Sequence, residues 1–172
     1  SVSPGDVIYS RYDRTGGSPI NVYGVASMAF DPTTPGLWMY AGRATNGTFT
    51  GGTGYAAASG ARAWDGSSIV LSSSIAGITA NSFGKLRVWI SAAAGAAKSY
   101  TFDYLLNEST TPPANTPTVT IAGAADQSGV DTPHSLSVVD QDLVTVRCVP
   151  SGTPTQVRVA WAAVGGAAGG GG

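Results

Sequence analysis

The 172-residue chain has a formal net charge of -1, and only 11% of its residues are Asp, Glu, Lys or Arg, against about 25% in an average globular domain. Without a basic excess, the composition argues against nucleic acid, whose binding needs Lys and Arg to neutralise phosphates, and against an anionic membrane partner. The only cysteine, Cys148, excludes a disulfide within the chain.

The low charge content also bears on association. Charged side chains are depleted in the centres of protein interfaces. A surface built mainly from Ser, Thr, Asn and backbone therefore predicts extensive self-association.

Alternation of apolar and polar residues predicts β-strands in the first half of the chain. The predicted strands cover residues 6–12, 20–30, 37–42 and 67–72. Residues 45–61 are rich in Gly, Thr, Ser and Ala and show no period. They are predicted to form a long Gly-rich loop or a loosely paired excursion.

The second half alternates more clearly. In the predicted strand 85–91, Leu86, Val88 and Ile90 share one face and Trp89 lies on the other. Residues 92–97 are predicted to form a tight turn or a short helical turn, and residues 151–154 a turn that closes a hairpin. The other predicted strands are 100–106, 118–121, 135–139, 142–149 and 156–164.

Short strands separated by Gly, Pro, Asn and Asp turns, with no amphipathic helix of crossover length, predict an all-β fold. We expect an antiparallel β-sandwich of jelly-roll type, formed by residues 1–164 as a single domain. The remaining residues, 165–172, are only glycine and alanine and are predicted to be a flexible Gly/Ala tail.

The inventory of reactive residues predicts no catalytic residue, no cofactor and no metal. The single histidine, His134, lies in a turn-like stretch and is expected to be solvated. Metal sites need several His, Cys or carboxylate groups that converge. The pair Asp140 and Asp142 could hold Ca²⁺ weakly, but a capped turn is the favoured interpretation.

Two groups inside predicted strands have structural interpretations. Cys148 alternates with Val144 and Val146, which predicts a small buried hydrophobic side chain. Asp103 lies opposite the aromatic row of its strand, and Arg87 or Arg158 is expected to pair with it across strands.

The aromatic residues leave two alternatives open, because they can fill a core or an interface or stack on sugar rings. Trp64, Tyr55 and Trp89 are the candidates for a glycan or partner contact.

Residues 84–164 carry a series of strand and turn phrases that resembles proteins of tailed bacteriophages. The phrases are KLRVWIS at 85–91, SYTFDYLLN at 99–107, TVTI with a following glycine at 118–123, DTPHSLSV at 131–138, DLVTVRCVPSGTP at 142–154 and the closing V-x-W strand at 157–161. The resemblance implies a jelly-roll-like protein on the outer surface of a virion, as a head decoration protein, head fibre or tail-fibre tip.

Such proteins are often trimeric, so the resemblance implies that the chain binds copies of itself. It also implies contacts with the major capsid protein or other virion proteins, and with a host surface glycan. In the family a short Asn-Gly turn follows the "TF" strand. Here residues 107–117 replace that turn, which implies a specialised loop.

Two other functions compete with a structural role. A carbohydrate- or receptor-binding module would use exposed aromatic residues, most plausibly around residues 45–65. A glycan hydrolase would need two convergent carboxylates, and the positions of the acidic residues do not favour it.

Overall fold

A computed structural model describes residues 38–44, 52–58, 60–62, 64–66, 74–75, 81–139 and 141–167. The chain divides into two units, Ser1–Asp31 and Pro32–Gly172, and every described residue belongs to the second. The strands predicted at 6–12, 20–30 and 67–72 lie outside the described residues. The single-domain prediction for residues 1–164 can therefore be compared with the structure only in the second unit.

The described residues form eleven strands and no helix. No segment among them is a helix that could cross a membrane. The strands are β1 (Trp38–Ala44), β2 (Gly54–Ala57), β3 (Gly60–Arg62), β4 (Ser74–Ile75), β5 (Asn81–Ile90), β6 (Gly95–Leu106), β7 (Val119–Gly123), β8 (Ser128–Val130), β9 (Ser135–Val138), β10 (Leu143–Ser151) and β11 (Val159–Ala167).

The strands form two sheets. The first sheet has the order β3-β1-β11-β5, and β8 and β9 pair with different parts of β5. The second has the order β2-β10-β6-β7, and β4 also pairs with β10. All pairs are antiparallel except β1 with β3. The predicted all-β antiparallel sandwich is confirmed, while the jelly-roll arrangement stays a prediction.

The core lies between the sheets and follows the predicted period of two. Leu86, Val88 and Ile90 of β5 are fully buried from the first sheet. Alternate residues of β6, among them Tyr100, Phe102 and Tyr104, are fully buried from the second. The rings of Phe83 and Tyr104, one from each sheet, lie 5.9 Å apart between centroids. Burial of this apolar area is the main force that holds the sheets together.

Trp161 of β11 packs in the core next to β1. Its Nε1 donates a hydrogen bond to the carbonyl oxygen of Ala58 at 2.9 Å. Gly42 faces it across the strand pair, and a Cβ added there would lie 2.6 Å from the indole ring. Glycine at this position therefore makes room for the tryptophan.

Two predictions for small-residue segments were wrong in part. Residues 45–61 include β2 and the start of β3, and β2 pairs in register with Thr145–Cys148 of β10. The predicted tail begins as strand, because Gly165–Ala167 continue β11 and pair with Asn81–Phe83. In both segments pairing with a neighbouring strand holds the backbone extended, although the Gly and Ala side chains show no alternating pattern that predicts a strand.

The turn at residues 151–154 does not close a hairpin. It follows β10 of the second sheet and leads to β11 of the first, so it carries the chain between sheets. The Tyr100 hydroxyl donates a hydrogen bond of 2.6 Å to the Thr155 carbonyl oxygen and fastens this crossing. The connection at 92–97 is a turn, and β6 already begins at Gly95.

Candidate interaction surface

The outer face of the first sheet carries an exposed tryptophan. Because Leu86, Val88 and Ile90 point into the core, Arg87 and Trp89 must point outward. Trp89 keeps 48% of its surface exposed. The sequence KLRVWIS already indicated this orientation, and the structure confirms it.

Neighbouring strands extend this patch sideways. Arg87 lies directly between Val130 of β8 and Ala162 of β11. Trp89 lies between Ser128 and Ala160. Directly opposed residues of antiparallel strands share a face, and Val130 is itself 50% exposed. These six residues, Arg87, Trp89, Ser128, Val130, Ala160 and Ala162, are called the Trp89 surface below.

The charged side chains on the Trp89 face of the described residues are cations. Lys85, Arg87 and Arg158 are all exposed, and none of them has a carboxylate within ion-pair distance in the described part of the chain. Three cations on one face of a chain with a net charge of -1 create a local positive potential that favours an anionic partner.

A shallow open hollow of about 270 Å³ lies in this face. It is located where β5 has a bulge: Gly84 pairs with Val164 and Arg87 with Ala162, so that Lys85 and Leu86 oppose the single residue Ala163. Lys85 has a positive φ of 53°, as the first residue of such a bulge often does. The hollow is lined by Lys85, Arg87, Val130, Thr132, Ala162, Ala163 and Val164.

The other two predicted contact residues lie elsewhere. Tyr55 of β2 is half-buried on the outer side of the second sheet. Its backbone exchanges two hydrogen bonds with Asp65, beside Trp64. The Trp64 ring is half-buried against the core, 5.6 Å from Trp161 and 6.5 Å from Phe102 between centroids. Tyr55 and Trp64 are thus close in the fold, but they do not form one site with Trp89, and their contact roles stay predictions.

The outer face of the second sheet is covered. Asp103 of β6 and Arg147 of β10 form a two-bond ion pair, with Nε–Oδ1 at 2.9 Å and Nη2–Oδ2 at 2.6 Å. Nη1 of Arg147 donates a third bond, at 3.1 Å, to the carbonyl oxygen of Thr110 in the 107–117 loop. Leu105 and Thr145 on the same face are fully buried.

The predicted cross-strand ion pair of Asp103 is confirmed, but the partners proposed for it, Arg87 and Arg158, were wrong. Those arginines belong to the first sheet, whereas Arg147 stands directly opposite Asp103 in the second. The pair is largely withdrawn from water, with 5% and 18% of the Asp103 and Arg147 side chains exposed. Burial raises the pKa of Asp103 more than the hydrogen bonds and charge of Arg147 lower it.

Asp131 and His134 close the turn between β8 and β9. The Asp131 carboxylate accepts hydrogen bonds from the backbone N–H of Thr118 at 2.9 Å and of His134 at 3.1 Å, and its Oδ2 lies 2.8 Å from His134 Nδ1. Burial alone would raise the pKa of Asp131, but these hydrogen bonds outweigh it and the pKa is lowered. The His134 side chain is 49% exposed.

Cys148 and Asp142 have the structural roles predicted for them. Cys148 is buried in the core, as predicted, and burial, together with the nearby Asp103 charge, raises the pKa of its thiol. Asp142 caps a turn, because its Oδ2 accepts a hydrogen bond from Val139 N–H at 2.8 Å. Its Oδ1 accepts a second hydrogen bond, from Asn107 Nδ2 at 2.8 Å, which links the turn to the residue after β6. Asp140 lies outside the described residues. No three His, Cys, Asp or Glu side chains in the described ranges converge on a possible metal position.

No protein-family model, curated protein or solved structure matches this chain.

Proposed function

We propose that the chain is a non-enzymatic structural protein on the exterior of a tailed-phage virion, acting as a capsid decoration protein or as a fibre module. In this role it stabilises the particle by binding copies of itself and the major capsid or other virion proteins. Three observations support the proposal: the antiparallel sandwich, the low charge content of 11%, and the phage-like phrases in residues 84–164.

The main support for self-association is that β7 is an uncharged edge strand. It is the terminal strand of the second sheet and pairs only with β6 within the described part of the molecule. Val119 and Ile121 are buried beneath it, Thr120 and Ala122 are exposed, and none of its five residues is charged. Edge strands of monomeric proteins usually carry charges or prolines that prevent pairing with another chain.

The edge is also held firmly in place. Gly129 of the first sheet approaches β7 so closely that an added Cβ would lie 2.6 Å from Val119 Cγ1. A fixed edge that has no partner strand on one side among the described residues can accept a strand from another copy at a small entropic cost. A heterologous contact that closes by rotation gives a ring, for which a trimer is our expectation.

Assembly would stabilise a shell in two ways. Apolar area removed from water contributes about 25 cal/mol per Å². In addition, any partner that binds only the folded chain shifts the folding equilibrium by mass action.

Light scattering coupled to size exclusion tests the self-association. We expect a trimer for the unmodified chain and a monomer for Ala122→Lys, because a lysine on β7 blocks strand addition. Ser137→Lys adds the same charge to an exposed position of β9 and should stay trimeric. A monomer at high micromolar concentration for the unmodified chain would overturn the proposal.

The virion location needs a separate measurement. Antibodies against the chain should label the outside of intact phage particles in electron micrographs. Labelling of heads would identify a decoration protein and labelling of tail tips a fibre module. Unlabelled particles would reject the virion location.

A carbohydrate- or receptor-binding module remains the second candidate, and the half-exposed Trp89 beside the hollow favours it. A glycan array with Trp64→Ala and Trp89→Ala variants separates the two aromatic locations. Loss of binding only with Trp64→Ala would assign the site to the Tyr55–Trp64 region, and loss only with Trp89→Ala would assign it to the first sheet.

A further inference from the structure

We propose that the hollow in the first sheet binds an acidic saccharide, meaning a sugar ring that carries a carboxylate. This proposal gives the receptor-binding candidate its chemistry and is independent of self-association through β7. It rests on the charge, the lining and the size of one place in the fold.

The charge at the hollow calls for an anion. Lys85 and Arg87 both line it, and neither is within ion-pair distance of a carboxylate among the residues that the structure describes. Arg147, by contrast, donates two hydrogen bonds to the carboxylate of Asp103. The planar guanidinium of Arg87 offers the paired N–H donors that match a carboxylate.

The rest of the lining suits the body of a sugar. Val130, Ala162 and Val164 form an apolar floor, and the Thr132 hydroxyl adds one neutral polar group. Trp89 follows Arg87 by two residues on the same face of β5 and keeps half of its surface open. Mostly apolar lining with a few placed polar groups is the usual composition of a small-molecule site.

The size of the hollow suits one or two sugar rings. Pockets for drug-sized ligands measure about 300–1,000 Å³, and this hollow measures about 270 Å³. A larger open depression of about 330 Å³ is lined by Gly52, Thr53, Pro150 and Thr153. None of these four described residues has a charged or aromatic side chain, so they do not select a ligand.

NMR titration of the full chain tests the proposal. The probes are the methyl glycosides of glucuronic acid and N-acetylneuraminic acid, with their methyl esters as neutral controls of nearly the same shape. At least one acid should shift the signals of Arg87, Trp89 and Val130 and bind about tenfold or more tightly than its ester, because only the acid offers a carboxylate that accepts charge-assisted hydrogen bonds from Arg87.

Three variants locate the site. Arg87→Met should weaken binding of the acid about tenfold, and Arg87→Lys should restore part of it. Lys98→Met removes a cation from the other sheet and should leave binding unchanged. Arg87 is exposed, so its variants should fold, and unchanged amide spectra outside β5, β8 and β11 verify this.

Several outcomes would overturn the proposal: equal binding of acid and ester, binding that Arg87→Met leaves intact, or no binding by either acid. Self-association that Arg87→Met abolishes would assign the cations to a second copy instead. Light scattering without sugar measures that outcome separately from the trimer expected through β7.

Discussion

Arg147 on the outer face of the second sheet is engaged by Asp103 and by the Thr110 carbonyl oxygen, whereas Arg87 on the outer face of the first sheet has neither kind of partner within the described residues. Both arginines stand in the middle of central strands. The difference between them lies in what covers each sheet. The 107–117 loop reaches over the second sheet, and the Trp89 surface is open.

This difference separates a structural arginine from one that is exposed and has no ion-pair partner among the described residues. The desolvation of a buried ion pair consumes most of its Coulombic attraction, so the Asp103–Arg147 pair specifies the strand register more than it adds stability. Arg87 remains hydrated, and its interaction energy is still available for an external anion. The comparison therefore predicts opposite consequences for the same substitution on the two faces.

Replacement of each arginine by methionine gives the largest contrast. Arg147→Met should lower the free energy of unfolding by about 3–5 kcal/mol, because it leaves the Asp103 carboxylate buried without its partner. Arg87→Met should change it by less than about 0.5 kcal/mol, as surface substitutions usually do. Urea denaturation at neutral pH measures both values.

The double variant Asp103→Leu/Arg147→Met sharpens this test. An apolar pair of similar size often replaces a buried ion pair at no net cost, so the double variant should recover most of the loss. Equal destabilisation by Arg147→Met and Arg87→Met would contradict the distinction between the two faces.

One buried carboxylate, Asp103, lies in the second sheet and another, Asp131, in the turn between β8 and β9 of the first, and these two should respond to pH with opposite signs. The lowered pKa of Asp131 means that its contribution to stability is present above the unfolded pKa, about 3.9, and is lost as the pH falls through the folded value. The raised pKa of Asp103 means that its contribution is present below the unfolded pKa and is lost as the pH rises through the folded value.

Asparagine variants of the two residues measure this contrast. Asp131→Asn should cost about 1–3 kcal/mol at neutral pH, because the turn loses part of its hydrogen bonding, and the cost should shrink towards pH 3. Asp103→Asn leaves Asp131 in place, so the free energy of unfolding of this variant should still fall as the pH is lowered. Urea denaturation between pH 3 and pH 7 gives both curves, and curves of the same shape would refute the assignment.

The sequence predicted the strands in which large side chains alternate and failed where side chains are small. The alternation of Leu86, Val88 and Ile90 was enough to predict β5, and all three are buried. The same alternation predicted that Trp89 lies on the outer face. β2 is built from Gly, Tyr and Ala, which encode no period, and its order comes from β10. The same reason explains why the predicted tail turned out to begin as part of β11.

Long-range neighbours were the second limit of the sequence. Asp103 was predicted to pair with an arginine, but Arg147 is 44 residues away along the chain, and only the register of β6 and β10 selects it from the other arginines. The hollow depends on two strand pairings and a bulge at Lys85, and no local pattern indicates it. The turn at 151–154 was recognised, although turn residues do not reveal which sheet the next strand joins.

The inner side of β6 provides the last and smallest test, on the same strand that carries Asp103 outside. Tyr100 and Tyr104 are both fully buried. The Tyr100 hydroxyl donates to the Thr155 carbonyl oxygen at 2.6 Å, and burial, with a smaller effect of Cys148, raises its pKa to about 12. The Tyr104 hydroxyl has no hydrogen-bond partner among the described residues, and burial raises its pKa further.

Phenylalanine at each position should therefore have opposite effects. Tyr100→Phe should lower the free energy of unfolding by about 1–2 kcal/mol, because the crossing from β10 to β11 loses its fastening and a carbonyl loses its donor. Tyr104→Phe should raise it by about 1 kcal/mol, because an uncompensated buried hydroxyl is removed. Equal decreases in the free energy of unfolding, measured by urea denaturation, would mean that both hydroxyls are hydrogen-bonded. The buried polar groups on the inner side of β6 would then all have partners, as Asp103 has on its outer side.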